Sequence, residues 1–178
     1  VRAYDVRSGE LLWAWNPIPP GMEPFNEDGS FRSGTTNVWS IIAVDEERNL
    51  VFVPTGNTNP DYYGGHRDGL DYYSSSVVAL NGDTGEVVWH YQMVHHDLWD
   101  YDTPAQPTLM DLTINGEAVP VVVQVTKMGM TFVLHRETGE PVFPVEERPV
   151  PQNPVAGESL SPTQPFPSHI PHLVPGFT

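Results

Sequence analysis

Ser8-Gly9-Glu10-Leu11-Leu12-Trp13, Thr84-Gly85-Glu86-Val87-Val88-Trp89 and Thr138-Gly139-Glu140-Pro141-Val142-Phe143 share one pattern: a hydroxyl residue, Gly-Glu, and an aromatic three residues after the Glu. Each copy lies between β-rich stretches, as Ser76-Val77-Val78-Ala79-Leu80 precedes the second turn and Val87-Val88-Trp89-His90-Tyr91 follows it. Each therefore reads as a hairpin in which Gly takes a backbone angle other residues resist. Recurrence of one hairpin along a chain marks a repeat protein.

Working outward from these turns, β-branched and alternating runs recur at short spacing, and no window of a dozen residues shows a 3.6-residue apolar period. Strands are expected near residues 1–5, 10–15, 39–44, 50–54, 76–80, 86–92, 107–112, 119–126, 130–135 and 140–143. The polar turn Asp45-Glu46-Glu47-Arg48-Asn49 and the hairpin signal Asn115-Gly116 join neighbouring runs into an antiparallel meander. Taken in fours, the strands give one unit over 39–92, a second over 107–143 and the second half of another over 1–15. Serial four-stranded meanders are the blades of a β-propeller, so the fold class is all-β, a partial propeller of about two and a half blades. A β-sandwich also uses short strands and turns and is the alternative. From Pro141 onward the chain holds ten of its 19 prolines, and 144–178 reads as an extended proline-rich connection.

A meander sorts its loops by end. Tight turns fall at one end, whereas Asn16 to Val38, Gly56 to Ser75 and Met93 to Gln106 fall at the other, where function is expected.

The charge is −15, with 23 acidic against 8 basic side chains, which argues against nucleic acid and anionic membrane surfaces as partners. The absence of cysteine excludes disulfides and thiolate metal sites. No apolar run approaches the ~20 residues that span a bilayer. The first residues already read as a strand with no leader, so a longer polypeptide is expected.

The densest polar run on the long-loop end is His95-His96-Asp97-Leu98-Trp99-Asp100-Tyr101-Asp102, in which imidazoles and carboxylates offer proton acceptors and metal ligands. A solvated acidic loop is the plainer reading. Trp39, at the start of a strand, also reads as a core aromatic, Asn57 and Asn59 as turn formers, and Lys127 as an exposed cation. All four map to one end of the meander. A transition-metal hydrolase site built on His95, His96, Asp97 and Asp100 is disfavoured, because adjacent side chains of an extended segment point oppositely.

The repeats Ala3-x-Asp5-x-x-Ser8-Gly9-x-x-x-Trp13 and Ala79-x-Asn81-x-x-Thr84-Gly85-x-x-x-Trp89 resemble the tryptophan-docking motif of the eight-bladed quinoprotein dehydrogenases, which use pyrroloquinoline quinone (PQQ). The third copy departs, with Val133, His135 and Phe143 at the signature positions. His95 to Asp100, Lys127 and Pro104-Ala105-Gln106-Pro107-Thr108-Leu109 resemble most closely the membrane-bound glucose dehydrogenase branch.

The resemblance implies roles residue by residue. Trp39 would stack on PQQ, Asn57 would ligate a Ca²⁺ or Mg²⁺ ion, Asp100 would be the catalytic base, and Lys127 would hydrogen-bond the quinone oxygens. Several soluble relatives carry Arg at that last position, so Lys127 points to the membrane-bound branch. His95 and His96 are candidates for binding substrate hydroxyls. The implied reaction is oxidation of an aldose at C1 to a lactone in the periplasm, with ubiquinone accepting electrons through a membrane segment outside this chain. The remaining blades would complete the pocket. Quinate, shikimate and polyol oxidation belong to the same branch, and a non-catalytic propeller scaffold is the alternative outside the enzymes.

Overall fold

The computed structural model describes residues 1–30, 32, 34–67 and 69–174. Positions 31, 33 and 68 of the long loops and 175–178 of the proline-rich stretch lie outside that description. β1 (Arg2–Tyr4) and β2 (Leu11–Ala14) form an antiparallel pair. β3 (Ala43–Asp45), β4 (Leu50–Pro54), β5 (Ser76–Asn81) and β6 (Val87–Gln92) form a four-stranded meander, and β7 (Thr108–Ile114), β8 (Glu117–Val125) and β9 (Thr131–His135) a three-stranded one. The strands pair in chain order, so these are blade meanders and not two stacked Greek-key sheets.

The three Gly-Glu turns are superimposable in their bonding. Gly9, Gly85 and Gly139 donate their N–H groups to the carbonyls of Asp5, Asn81 and His135, each at 2.8 Å. Asp5, Asn81 and His135 return N–H groups to Glu10, Glu86 and Glu140, again at 2.8 Å. Asp5 Oδ1 also accepts from Arg7 and Ser8, and Asn81 Oδ1 from Asp83 and Thr84, in the manner of an Asx turn. In the third copy His135 Nδ1 accepts from Glu137 N–H at 3.3 Å, so the imidazole replaces the carboxylate with one longer bond. That is the physical content of the sequence departure.

The turns also dock blades. Trp13 Nε1–H donates to the Gly82 carbonyl at 2.8 Å, and Trp89 Nε1–H donates to the Arg136 carbonyl at 3.1 Å. Each indole lies flat over the glycine of the following turn: a Cβ on Gly85 would come within 2.4 Å of the Trp13 ring, and one on Gly139 within 2.6 Å of Trp89. Both glycines have φ above +70°. Gly139→Ala therefore meets left-handed strain and a ring collision together, and a loss of roughly 2–4 kcal/mol is expected in chemical denaturation. Trp89 fluorescence should red-shift as its ring is displaced; an unchanged midpoint and spectrum would contradict the docking role.

Both faces of the four-stranded sheet are covered, which explains the unbroken runs Val51-Phe52-Val53 and Val77 to Leu80. Leu50, Phe52, Val77 and Ala79 pack with Trp89, Val122, Phe132 and Leu134 towards the next blade. Val51, Val53, Val78 and Leu80 pack with Trp15 and Tyr73 towards the preceding strands.

Two expectations are corrected. Residues 140–143 form an isolated bridge, Leu134 to Pro141, rather than a fourth strand: Val142 N–H still donates to the Val133 carbonyl at 2.9 Å, but proline brings no N–H to extend the ladder. The proline-rich stretch contains a hairpin, β10 (Val145–Pro149) with β11 (Thr163–Pro167). A two-stranded ribbon has free edges that accommodate proline, and Val145 and Phe166 anchor it against the main core.

Candidate active site

Three connections at one end of the blades bring the site together. The β4–β5 loop carries Asn57, the β6–β7 connection carries Asp97, Asp100 and Asp102, and the β8–β9 turn carries Lys127. Trp39 lies in the long connection before β3, four residues ahead of Ala43, and not at the start of a strand as expected.

Lys127 is the hub. Its Nζ donates to the Asp100 carbonyl at 2.7 Å, to Asp102 Oδ2 at 2.9 Å and to Asp100 Oδ2 at 3.2 Å. It lies 6.0 Å from the centroid of the Trp39 ring, and that indole is 56% exposed, leaving surface for a planar partner. Asp102 Oδ1 accepts the Asn57 N–H. A Cβ on Gly56 would come within 3.0 Å of Asp102 Oδ1 and 3.2 Å of the Trp39 ring, so a side chain at 56 would push these groups apart. Trp39, Asn57, Asp100 and Lys127, far apart in sequence, are thus joined in one group, with Asp102 as the member that sequence reasoning did not single out.

Charge in this group is unevenly shared. Burial and the neighbouring Asp102 carboxylate push the Asp100 carboxyl up, against the hydrogen bond from Lys127, and the net shift is above the ordinary range. Burial alone would lower the Lys127 ammonium, but its hydrogen bonds and charge attraction to Asp102 and Asp100 prevail and raise it. Lys127 therefore stays a cation while Asp100 is a more basic carboxylate than usual.

The loop bearing Asp100 is rigid. Asp97 is fully buried; Oδ1 accepts from Trp99 N–H at 2.9 Å, and Oδ2 from Tyr101 N–H at 2.8 Å and Ser75 Oγ at 2.7 Å. Burial raises its pKa despite these bonds. The Asp97 carbonyl accepts from Asn57 Nδ2 at 3.0 Å and from Arg67 Nη1 at 2.6 Å. Arg67, only 1% exposed, also donates to the Pro60 and Asp61 carbonyls, so a lone arginine in a glycine-rich loop locks two loops together. Its sole sequence signal is the Asp71 four residues on, with which it pairs at 3.3 Å.

His95 and His96 are not brought into the group. His95 Nδ1 meets Gln92 at 2.9 Å and Nε2 meets Glu147 at 3.1 Å, on the proline-rich hairpin. His96 Nδ1 meets Asp71 at 2.6 Å and Nε2 meets Glu158 at 2.9 Å. Both imidazoles spend their nitrogens tying the loop to neighbouring segments. This divergence also removes the shared metal centre considered for His95, His96, Asp97 and Asp100.

The donor set separates the two expected ligands. A planar anionic quinone fits an exposed indole beside an ammonium. Among the described residues Asn57 is not free to offer an ion its oxygen: Asn57 Oδ1 accepts from Thr58 N–H at 2.7 Å and Ser74 Oγ at 3.1 Å. Among the described residues no group of three or more His, Asp or Glu side chains converges as a metal would need. Beside Asp100 and Lys127, their neighbours Trp99, Tyr101 and Met128 line an apolar hollow of about 480 Å³ together with Phe166 of the hairpin.

A propeller with tryptophan-docked blades and an indole, a carboxylate and an ammonium gathered at one end defines a quinoprotein-type chain. Residues 1–178 match the family "PQQ: Glucose/ethanol/alcohol dehydrogenase, beta-propeller domain", and the chain belongs to that family. It is 48% identical over 169 residues to the quinoprotein glucose dehydrogenase of Escherichia coli (strain K12), covering 93% of this chain and 21% of that protein. It is 43% identical over 178 residues to the glycerol dehydrogenase large subunit of Gluconobacter thailandicus, covering 97% of this chain and 24% of that one. The chain thus spans about a fifth to a quarter of these relatives' length. Among solved structures, the quinohemoprotein alcohol dehydrogenase from Comamonas testosteroni superposes with a TM-score of 0.68 at 28% identity, over 94% of this chain and 27% of that chain.

Proposed function

We propose that this chain supplies part of the catalytic face of a PQQ-dependent dehydrogenase that oxidises an aldose at C1 to its lactone. The observation that carries the reading is the contact of Lys127 with Asp100 at 3.2 Å, with its ammonium 6.0 Å from the Trp39 ring centroid. PQQ, when bound, supplies the acceptor for the two electrons and the hydrogen removed from carbon. Trp39 offers the flat face and Lys127 the positive charge that would hold it. Asp100, when ionised, takes the proton of the sugar hydroxyl, and its raised pKa makes it a better acceptor than an ordinary carboxylate. Lys127 stabilises that carboxylate until the proton arrives.

A Ca²⁺ or Mg²⁺ ion belongs to the proposal as a group whose ligands come chiefly from outside this chain, with Asn57 contributing only if its carboxamide leaves Ser74. As the resemblance to the membrane-bound glucose dehydrogenase branch implies, electrons pass onward to ubiquinone and the catalytic domain lies in the periplasm. Among the described residues no helix is long and apolar enough to cross a membrane. Polyol oxidation is the second reading, favoured by the 43% identity to a glycerol dehydrogenase.

The test is dye reduction by the complete protein reconstituted with PQQ and either ion, offered a panel of aldoses, polyols and quinate. Glucose or another aldose is expected to give the highest kcat/KM. Preference for glycerol would move the assignment to the second reading, and no reduction with any member would overturn the enzyme reading. The chain alone is expected to be inactive, since relatives devote about four times as much further sequence to the enzyme.

A further inference from the structure

Asp102 is the buried carboxylate of the Lys127 group, 8% exposed, and both of its oxygens are committed. Oδ1 accepts the Asn57 N–H and Oδ2 accepts Lys127 Nζ at 2.9 Å. Its neighbour continues the attachment, Thr103 N–H donating to the Thr55 carbonyl at 3.2 Å. Asp102 therefore joins its own β6–β7 connection to the start of the β4–β5 loop and to the β8–β9 turn.

We propose that Asp102 is a positioning residue that takes the larger share of the Lys127 charge and keeps the ammonium beside the Trp39 ring, so that the Asp100 carboxylate is only partly neutralised and can accept a proton. An ammonium has three N–H donors, and those of Lys127 go to the Asp100 carbonyl, Asp102 Oδ2 and Asp100 Oδ2, the last being the longest at 3.2 Å. The shorter charge pair is with Asp102, so Asp102 is the principal counterion and Asp100 is only partly neutralised. Remove Asp102 and the flexible lysine stem has Asp100 as its sole anionic partner. A full Lys127–Asp100 pair would quench the base and swing the cation away from the indole. The two functions of Asp102 reside on different oxygens: Oδ1 fixes the Asn57 backbone and Oδ2 fixes Lys127.

This inference rests on the proposed function, and its test separates the two. In the complete protein, Asp102→Ala is expected to weaken PQQ binding about tenfold, followed by quenching of tryptophan fluorescence, and to lower kcat about 100-fold with KM for the sugar changed less than threefold. Asp102→Asn keeps a carboxamide oxygen for the Asn57 N–H but gives up the charge. Hydrogen exchange of the Asn57 amide should therefore accelerate at least tenfold in Asp102→Ala and stay near wild type in Asp102→Asn, while both variants lose turnover. A variant that was merely misfolded would lose protection throughout the sheet. Turnover and PQQ affinity at wild-type level in both variants, or an Asn57 amide indifferent to Asp102→Ala, would overturn the proposal. If the wild-type protein neither binds PQQ nor turns over, the dehydrogenase reading fails, and the exchange comparison still decides whether Asp102 joins the segments.

Discussion

Asp100→Asn in the complete, PQQ-loaded protein should lower kcat by about 10²–10⁴-fold while leaving PQQ affinity within a few-fold of wild type. The substitution suits the position: φ at residue 100 is +58°, in the left-handed region that asparagine tolerates nearly as well as aspartate, so the loop keeps its shape. The Asp100 carbonyl that binds Lys127 is backbone and survives the change. What disappears is the proton acceptor, together with the 3.2 Å charge pair between Asp100 Oδ2 and Lys127. The pH profile gives the same role a second reading. Because burial and Asp102 hold the Asp100 carboxyl above its ordinary value, the acid limb of kcat should lie above the ~4 expected of a free aspartate. Activity is lost as pH falls through that limb, since protonated Asp100 accepts nothing. Lys127→Ala removes the one interaction that lowers this pKa, so its limb should move to higher pH, on top of any loss of cofactor. Equal turnover in Asp100→Asn, or a limb that Lys127→Ala shifts downward, would remove Asp100 from the role of base.

The turns were the most legible part of the chain, because a Gly-Glu turn with an aromatic three residues on is a local device, and its bonding repeats at Gly9, Gly85 and Gly139. Strand order followed from them, and so did the end of the meander on which Asn57, Asp100 and Lys127 lie. The chemistry of individual side chains was less legible for a physical reason. His95 and His96 offer the most versatile functional groups of their loop, yet their positions beside Glu147, Asp71 and Glu158 make them tethers, and those partners lie 25 to 62 residues away. Asp102 sits in the same run and looks like its acidic neighbours until its two oxygens are traced to the Asn57 N–H and to Lys127. Arg67 is completely buried only because carbonyls of two loops converge on it. The β10–β11 hairpin was masked by its prolines, which suppress the strand signal without preventing a ribbon.

The other large effect should come from the joint between blades. Arg136, just beyond β9, donates from Nη1 to Asp45 Oδ2 at 2.9 Å and from Nη2 to the Met110 carbonyl at 2.7 Å; the Asp45 side chain is 5% exposed and that of Arg136 9%. Removing Arg136 leaves the buried Asp45 carboxylate with only the longer, 3.4 Å ion pair to Arg48, and Arg136→Met is expected to cost about 3 kcal/mol in chemical denaturation. Pairing it with Asp45→Asn should restore part of that loss, because the stranded carboxylate is then gone; strict additivity would refute the coupling. The pH dependence has a fixed sign. Burial by itself would raise the Asp45 carboxyl, but the hydrogen bonds from Arg136 and the Arg48 N–H, with the charges of both arginines, bring it below its ordinary value. The stability it contributes is therefore complete above the unfolded pKa of about 4 and is lost as pH falls through the lower, folded value. In Arg136→Met that acid-side loss should shrink, since the largest of the lowering interactions is absent. The joint bears on function because Asn57 belongs to the blade that holds Asp45 and Lys127 to the blade that holds Arg136. Loosening it lets the two halves of the Asp102 bridge drift apart, so PQQ affinity should fall with stability in Arg136→Met although residue 136 touches none of the site.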